Sequence, residues 1–186
     1  IIFDSTAKGL SVARVHTGDP SMYGAIREQM VALDKAGIEY EVIPGVSSVF
    51  AGAAAMKKEF TLPGVTQTLI LTRMAGRTPV PEAESIENLA KIQASMAIFL
   101  SIASIDELAK KLMTSYPKDT PAAVVYKASW PDQKIIVSTL ECIADKVKEA
   151  DINKTALVYV GRFLADEFEL SKLYDKHFSH EFREAK

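Results

Sequence analysis

The stretch Val15-His16-Thr17-Gly18-Asp19-Pro20-Ser21-Met22-Tyr23-Gly24-Ala25-Ile26-Arg27 decides the fold of this chain. Upstream, residues 10–16 set Ala13 and Val15 against Val12, Arg14 and His16, the alternation of a strand. Downstream, Ile26, Met30 and Leu33 recur at i, i+4 and i+7, which predicts a helix over 23–36 ended by Gly37. Between them lies a tight polar turn. Gly18 permits close backbone approach, and Pro20 suits the first positions of a helix. A turn between the carboxyl end of a strand and a helix is where open α/β sheets hold ligands. It also presents unpaired N–H groups to a polar or anionic ligand. The same residues suit an Asx-type turn that merely starts a helix, and the local pattern leaves both readings open.

Working outward, residues 40–43 form a second expected strand, which runs into Pro44-Gly45-Val46-Ser47-Ser48. There Ser47 or Ser48 can cap a small-residue helix over 49–56. Two successive strand–turn–helix units put their turns on one edge of a parallel sheet, so the two turns should be neighbours. Residues 1–8 read as a short helix closed by Gly9. The chain opens inside that helix without an initiator Met, so the front of the first domain reads as missing.

Farther along, residues 60–64 look like a linker, and 67–73 like a strand. Residues 74–84 contain Gly76, Pro79 and Pro81, which favour neither helix nor strand and mark a long functional loop. Ser85 caps an expected helix over 86–92, followed by a strand at 96–100 and a helix over 104–113 with a serine cap and an acidic first turn. Residues 122–126 and 134–138 read as a hairpin about the turn 127–132, then helix 140–150 and strand 156–160. The charged tail reads as helical, with Tyr174, Phe178 and Phe182 on one face. The resulting fold class is α/β. It divides into a remainder of an N-terminal α/β domain (1–45), a connecting helix and linker (46–64), a C-terminal α/β domain with a mixed sheet (65–161) and a helical tail (162–186).

The 186 residues suffice for one large or two small domains, and 48% hydrophobic with 25% charged residues is an ordinary globular composition. A net charge of -2 gives no basic footprint, so no nucleic-acid partner is expected. No apolar run reaches membrane-spanning length and the first residues are not a signal peptide, so no membrane association is expected and the chain reads as cytoplasmic. Cys142 stands alone, which excludes a disulfide within the chain and any multi-cysteine metal site. It reads as a buried small apolar residue rather than a nucleophile. His177 and His180 are too few to hold a metal, and no metal site is expected. His16, beside the key turn, suits either proton transfer or hydrogen bonding and packing. Serine-nucleophile, P-loop and zinc-protease motifs do not occur. A cleft enzyme that works by positioning, or a binder, remains.

Thr17-Gly18-Asp19-Pro20-Ser21-Met22-Tyr23-Gly24 and Ile43-Pro44-Gly45-Val46-Ser47-Ser48 together resemble the tetrapyrrole methylases, S-adenosylmethionine-dependent enzymes that methylate corrin precursors. Three further stretches look like the branch acting at C11 of precorrin-4 or cobalt-precorrin-4 in cobalamin biosynthesis. They are Thr68–Arg73 with Gly76–Glu82, Val125–Asp132 and Thr155–Arg162. The resemblance implies two α/β domains with the cofactor in the cleft between them, usually in a homodimer. By position it implies Thr17, Gly18, Asp19 and Met22 in a first cofactor loop and Ser47 and Ser48 in a second. Leu100, Ala128, Thr155 and Ala156 match positions lining the adenosine and methionine moieties, although Leu100 taken alone reads as a core strand residue. The amino end lacks the glycine-rich turn with which the family normally begins.

The activity so implied is methyl transfer from S-adenosyl-L-methionine, with S-adenosyl-L-homocysteine as product, to a ring carbon held in line with the methyl group. The macrocycle bears acetate and propionate carboxylates, for which Arg27, Arg73 and Arg77 are the candidate cations. For Arg27 a surface ion pair is an equal alternative. No catalytic group is assigned; Asp19 and Tyr23 are the candidates, and Tyr23 could equally pack. Three rivals stand beside this reading: a family member with another target (another ring position, diphthine or ribosomal RNA), a non-catalytic small-molecule binder, and a purely structural fragment.

Overall fold

A computed structural model of the chain describes residues 1–171 and 179. Two compact units form, Ile1–Ala51 and Gly52–Lys186. The first contains α1 (Ile2–Thr6), α2 (Arg27–Lys35) and the start of α3 (Ser48–Met56). Gly9 and Gly37 follow the first two helices at φ +73° and +65°, the left-handed endings their sequence promised. Ser47 caps α3: its Oγ accepts from Val49 N at 3.4 Å.

Neither 10–16 nor 40–43 is a strand, so the parallel sheet expected in this unit is absent among the described residues. Alternation favours extended backbone, but a strand exists only when its N–H and C=O groups join a neighbour's. No ladder reaches these segments, and Leu10, Val15 and Ile43 stay exposed. The expected helix over 23–36 begins only at Arg27, because Tyr23 and Ala25 take φ of +56° and +49°, which no α-helix admits. Pro20 therefore belongs to the turn, not to a helix.

In the second unit every expected strand finds partners. β1 (Leu69–Arg73), β2 (Ser95–Phe99), β3 (Pro121–Tyr126), β4 (Lys134–Thr139) and β5 (Ala156–Val160) form one sheet in the order β1-β2-β5-β3-β4. β1 and β2 are parallel, with Leu69 opposite Ser95; the other pairs are antiparallel, so the sheet is mixed as expected. Helices α4 (Ile86–Ala90), α5 (Ile105–Leu112) and α6 (Ile143–Glu149) supply Ile86, Leu108, Leu112, Ile143 and Val147 to a core with Met96, Ile98, Val124, Val158 and Val160. Each such side chain withdrawn from water contributes about 1.5–3 kcal/mol before conformational entropy is counted. Period-2 alternation sends Tyr159 to the opposite face, where Phe60 stacks on it at 6.2 Å and meets Phe163 at 5.0 Å.

Ser85 caps α4 as expected, its Oγ accepting from Asn88 N at 3.4 Å. Cys142 is exposed rather than buried. The helix starts at Ile143 rather than at Leu140, which puts Ile143, Ala144 and Val147 inward and leaves Cys142 at the solvent-facing cap position. The described part of the tail is not α-helical: Arg162–Leu164 is one 3-10 turn and 165–171 has no regular structure. Tertiary contacts take the backbone there, since Glu169 N donates to Pro63 O (3.3 Å) and Lys58 Nζ to Ala165 O (3.2 Å). Tyr174, His177, Phe178, His180 and Phe182 lie outside the described residues. No helix among the described residues is long and apolar enough to cross a membrane.

Candidate functional site

In the first unit the two expected ligand turns do meet, without a sheet to bring them together. Asp19 is the joint. Its Oδ1 accepts from the backbone N and the hydroxyl of Ser21, and its Oδ2 accepts from Gly45 N at 2.9 Å. The Ser21 hydroxyl, then the Gly45 and Ser21 amides, hold the Asp19 carboxyl below its ordinary pKa. The approach demands glycine: a Cβ on Gly45 would lie 2.0 Å from Gly18 O, and Gly18 itself has φ +67°. His16 Nδ1 donates to Thr17 O at 2.7 Å, which supports its hydrogen-bonding reading. Around this joint Thr17 and Ser48 are exposed, Met22 is half-buried and Ser47 is buried as the helix cap. Tyr23 is exposed at φ +56°, and Arg27 is exposed at the first residue of α2.

In the second unit one end of the sheet gathers the other expected residues. β2 and β5 pair as Ile98 with Val158, and continuing that register two residues brings Leu100 level with Ala156. Ala156 in turn pairs with Tyr126, and Lys127 N donates to Thr155 O at 2.9 Å, placing Ala128 at the same end. Leu100, Thr155, Lys127 and Ser129 all have left-handed φ (+53°, +55°, +46°, +70°). Non-glycine residues pay for that conformation, and such strain clusters where backbone is aimed at a ligand. Leu100 is no core residue: it is 75% exposed, because the left-handed twist carries it out of the strand's alternation.

Ser101 locks this twist. Its buried hydroxyl accepts from Met74 N at 3.0 Å and donates to Phe99 O at 2.7 Å, tying the ends of β1 and β2. Arg73, at the end of β1, turns inward on its own loop. The guanidinium donates to the carbonyls of Met74 (3.3 Å), Thr78 (3.1 Å) and Pro79 (2.9 Å), which makes it a brace for 74–84. Asn88 Nδ2 secures the far side on Glu82 O at 2.9 Å. Arg77 is exposed on that braced loop. The sequence carries no signature for Ser101. Lys127 and Asp132 did offer one, a charge pair across a Trp-Pro turn, and the structure closes it as an ion pair. Among the described residues, no group of three or more His, Cys, Asp or Glu is placed to hold a metal.

The sequence profile of the tetrapyrrole (corrin/porphyrin) methylases matches residues 1–144. This chain belongs to that family. A cobalt-precorrin-4 C(11)-methyltransferase of Methanocaldococcus jannaschii is 52% identical over 187 aligned positions, covering 100% of this chain and 72% of the relative. Among solved structures, a cobalt precorrin-4 methyltransferase superposes with a TM-score of 0.86 at 48% identity, over 88% of this chain and 69% of that one. A uroporphyrin-III C-methyltransferase of Thermus thermophilus, solved with S-adenosyl homocysteine, shares the tetrapyrrole methylase fold (TM-score 0.71, 21% identity, 88% and 71% coverage).

Proposed function

We propose that this tetrapyrrole methylase transfers a methyl group from S-adenosyl-L-methionine to C11 of a precorrin-4-type macrocycle, with or without cobalt, in cobalamin biosynthesis. The name of the 52% identical relative supports that reaction. The observation that carries the reading is the left-handed sheet end formed by Leu100, Lys127–Ser129 and Thr155. Its residues fit the cofactor. Exposed Leu100 offers an apolar wall, Ala128 and Ala156 leave room for close approach, and peptide groups beyond the ladder offer donors and acceptors. Bound S-adenosylmethionine supplies an already activated methyl group, leaving S-adenosyl-L-homocysteine as product.

The chain's own residues then bind and orient. Thr17, Gly18, Met22, Ser47 and Ser48 form the loop wall that Asp19 holds together. Arg77 and Arg27 receive the macrocycle's carboxylates, Arg73 acts by bracing the loop that carries Arg77, and Tyr23 orients the ring. No covalent enzyme intermediate is required. The functional form is a homodimer, which sedimentation checks, and its place is the cytoplasm.

Calorimetry with S-adenosylhomocysteine tests the reading. Micromolar affinity is expected, weakened about tenfold or more by Asp19→Ala. The methylated product from a precorrin-4-type substrate should carry the new carbon at C11 by NMR. Methylation at another position points to a different family branch, and binding without turnover to a non-catalytic binder. No binding at all defeats the proposal.

A further inference from the structure

We propose that Lys127 is a positioning residue: clamped by Asp132, Tyr126 and Trp130, it holds the Ala128–Ser129 backbone in the conformation that receives the cofactor. The inference rests on the cofactor site proposed above. Lys127 and Ser129 occupy left-handed φ without being glycine or asparagine, so the turn stays in place only if its surroundings hold it. Those restraints converge on one side chain. The Lys127 ammonium pairs with Asp132 and sits 5.1 Å and 5.3 Å from the ring centres of Tyr126 and Trp130.

The backbone of the turn is tied to the same device. Trp130 N donates to Lys127 O (3.0 Å), Gln133 N to Trp130 O (3.1 Å) and Ser129 N to Gln133 Oε1 (2.8 Å). Lys127 N bonds Thr155 O across the sheet, so the lysine also couples the two left-handed segments that flank Ala156. The side chains of Lys127 and Asp132 are 23% and 54% exposed. An ion pair in that setting adds little to global stability. Its loss should therefore register in ligand binding rather than in melting.

Lys127→Met, which keeps the apolar stem, and Asp132→Asn test this in the full chain. Each should weaken S-adenosylhomocysteine binding and raise the KM for S-adenosylmethionine about tenfold, with kcat within about twofold. The melting temperature should stay within about 2 °C. The double variant should be no worse than either single, as expected for two ends of one contact, and Lys127→Arg should recover most of the affinity. Unchanged affinity in both singles overturns the proposal. So does a fall in kcat at constant KM, which would put Lys127 at the reacting atoms instead. Should Lys127→Met fail to fold, by circular dichroism, Asp132→Asn and Lys127→Arg decide. Failure of the unaltered protein to bind S-adenosylhomocysteine overturns the cofactor site and this inference together, whereas normal binding untouched by the variants removes this inference alone.

Discussion

Both carboxylate oxygens of Asp19 are engaged by donors of the protein itself, on Ser21 and Gly45. A group in that position works by geometry, holding one ligand turn against the other. Its pKa is depressed, so the contact is fully present above the ordinary aspartate value of 3.8 and is lost only as pH falls through the lower value of the folded protein. In an NMR titration the Gly45 amide should hold its position through the range where ordinary aspartates protonate, and shift below it. A midpoint at or above 3.8 would contradict the two-turn joint. Asp19 was legible in the sequence as a turn residue. Leu100 was not legible as an exposed one, because its φ of +53° is imposed where β2 leaves the sheet beside Ser101, and no alternation pattern encodes that.

Among the elements, the loop 74–84 shows how a residue type limits the contacts it can make without naming their partner. Arginine suits bidentate oxygen recognition, and Arg73 does make forked contacts, but to the carbonyls of Thr78 and Pro79 rather than outward. Lysine keeps the charge and lacks the planar fork. Arg73→Lys should therefore loosen the loop, and trypsin cleavage after Arg77 should accelerate about fivefold or more, read by mass spectrometry against the unaltered protein. An unchanged cleavage rate would show that the loop holds without the brace. Boundaries of the elements were readable where a local signal sets them: Ser85 caps α4, and β5 falls at 156–160 as its pattern required. They failed where partners decide, as for 10–16 and 40–43, whose alternation found no ladder.

At the scale of the molecule, the second unit depends on one close approach of α3 to the sheet. A Cβ on Gly52 would lie 1.9 Å from the hydroxyl of Tyr159, which is fully buried against Phe60. Gly52→Ala should cost about 1–3 kcal/mol in chemical denaturation, the range for overpacking a core, and Tyr159→Phe in that background should recover part of it. A neutral Gly52→Ala would mean that the helix can slide. The sequence by itself determined the α/β class, the hairpin, the serine caps of α3 and α4, the two turns that meet at Asp19, and the family through motifs whose order and chemistry are local. Only the tertiary structure decided which extended segments became strands, that Leu100 points outward and Cys142 is exposed, and that Arg73 braces a loop. Those outcomes depend on hydrogen-bond partners and packing neighbours distant in the chain, and a residue's own type and spacing do not specify its partners.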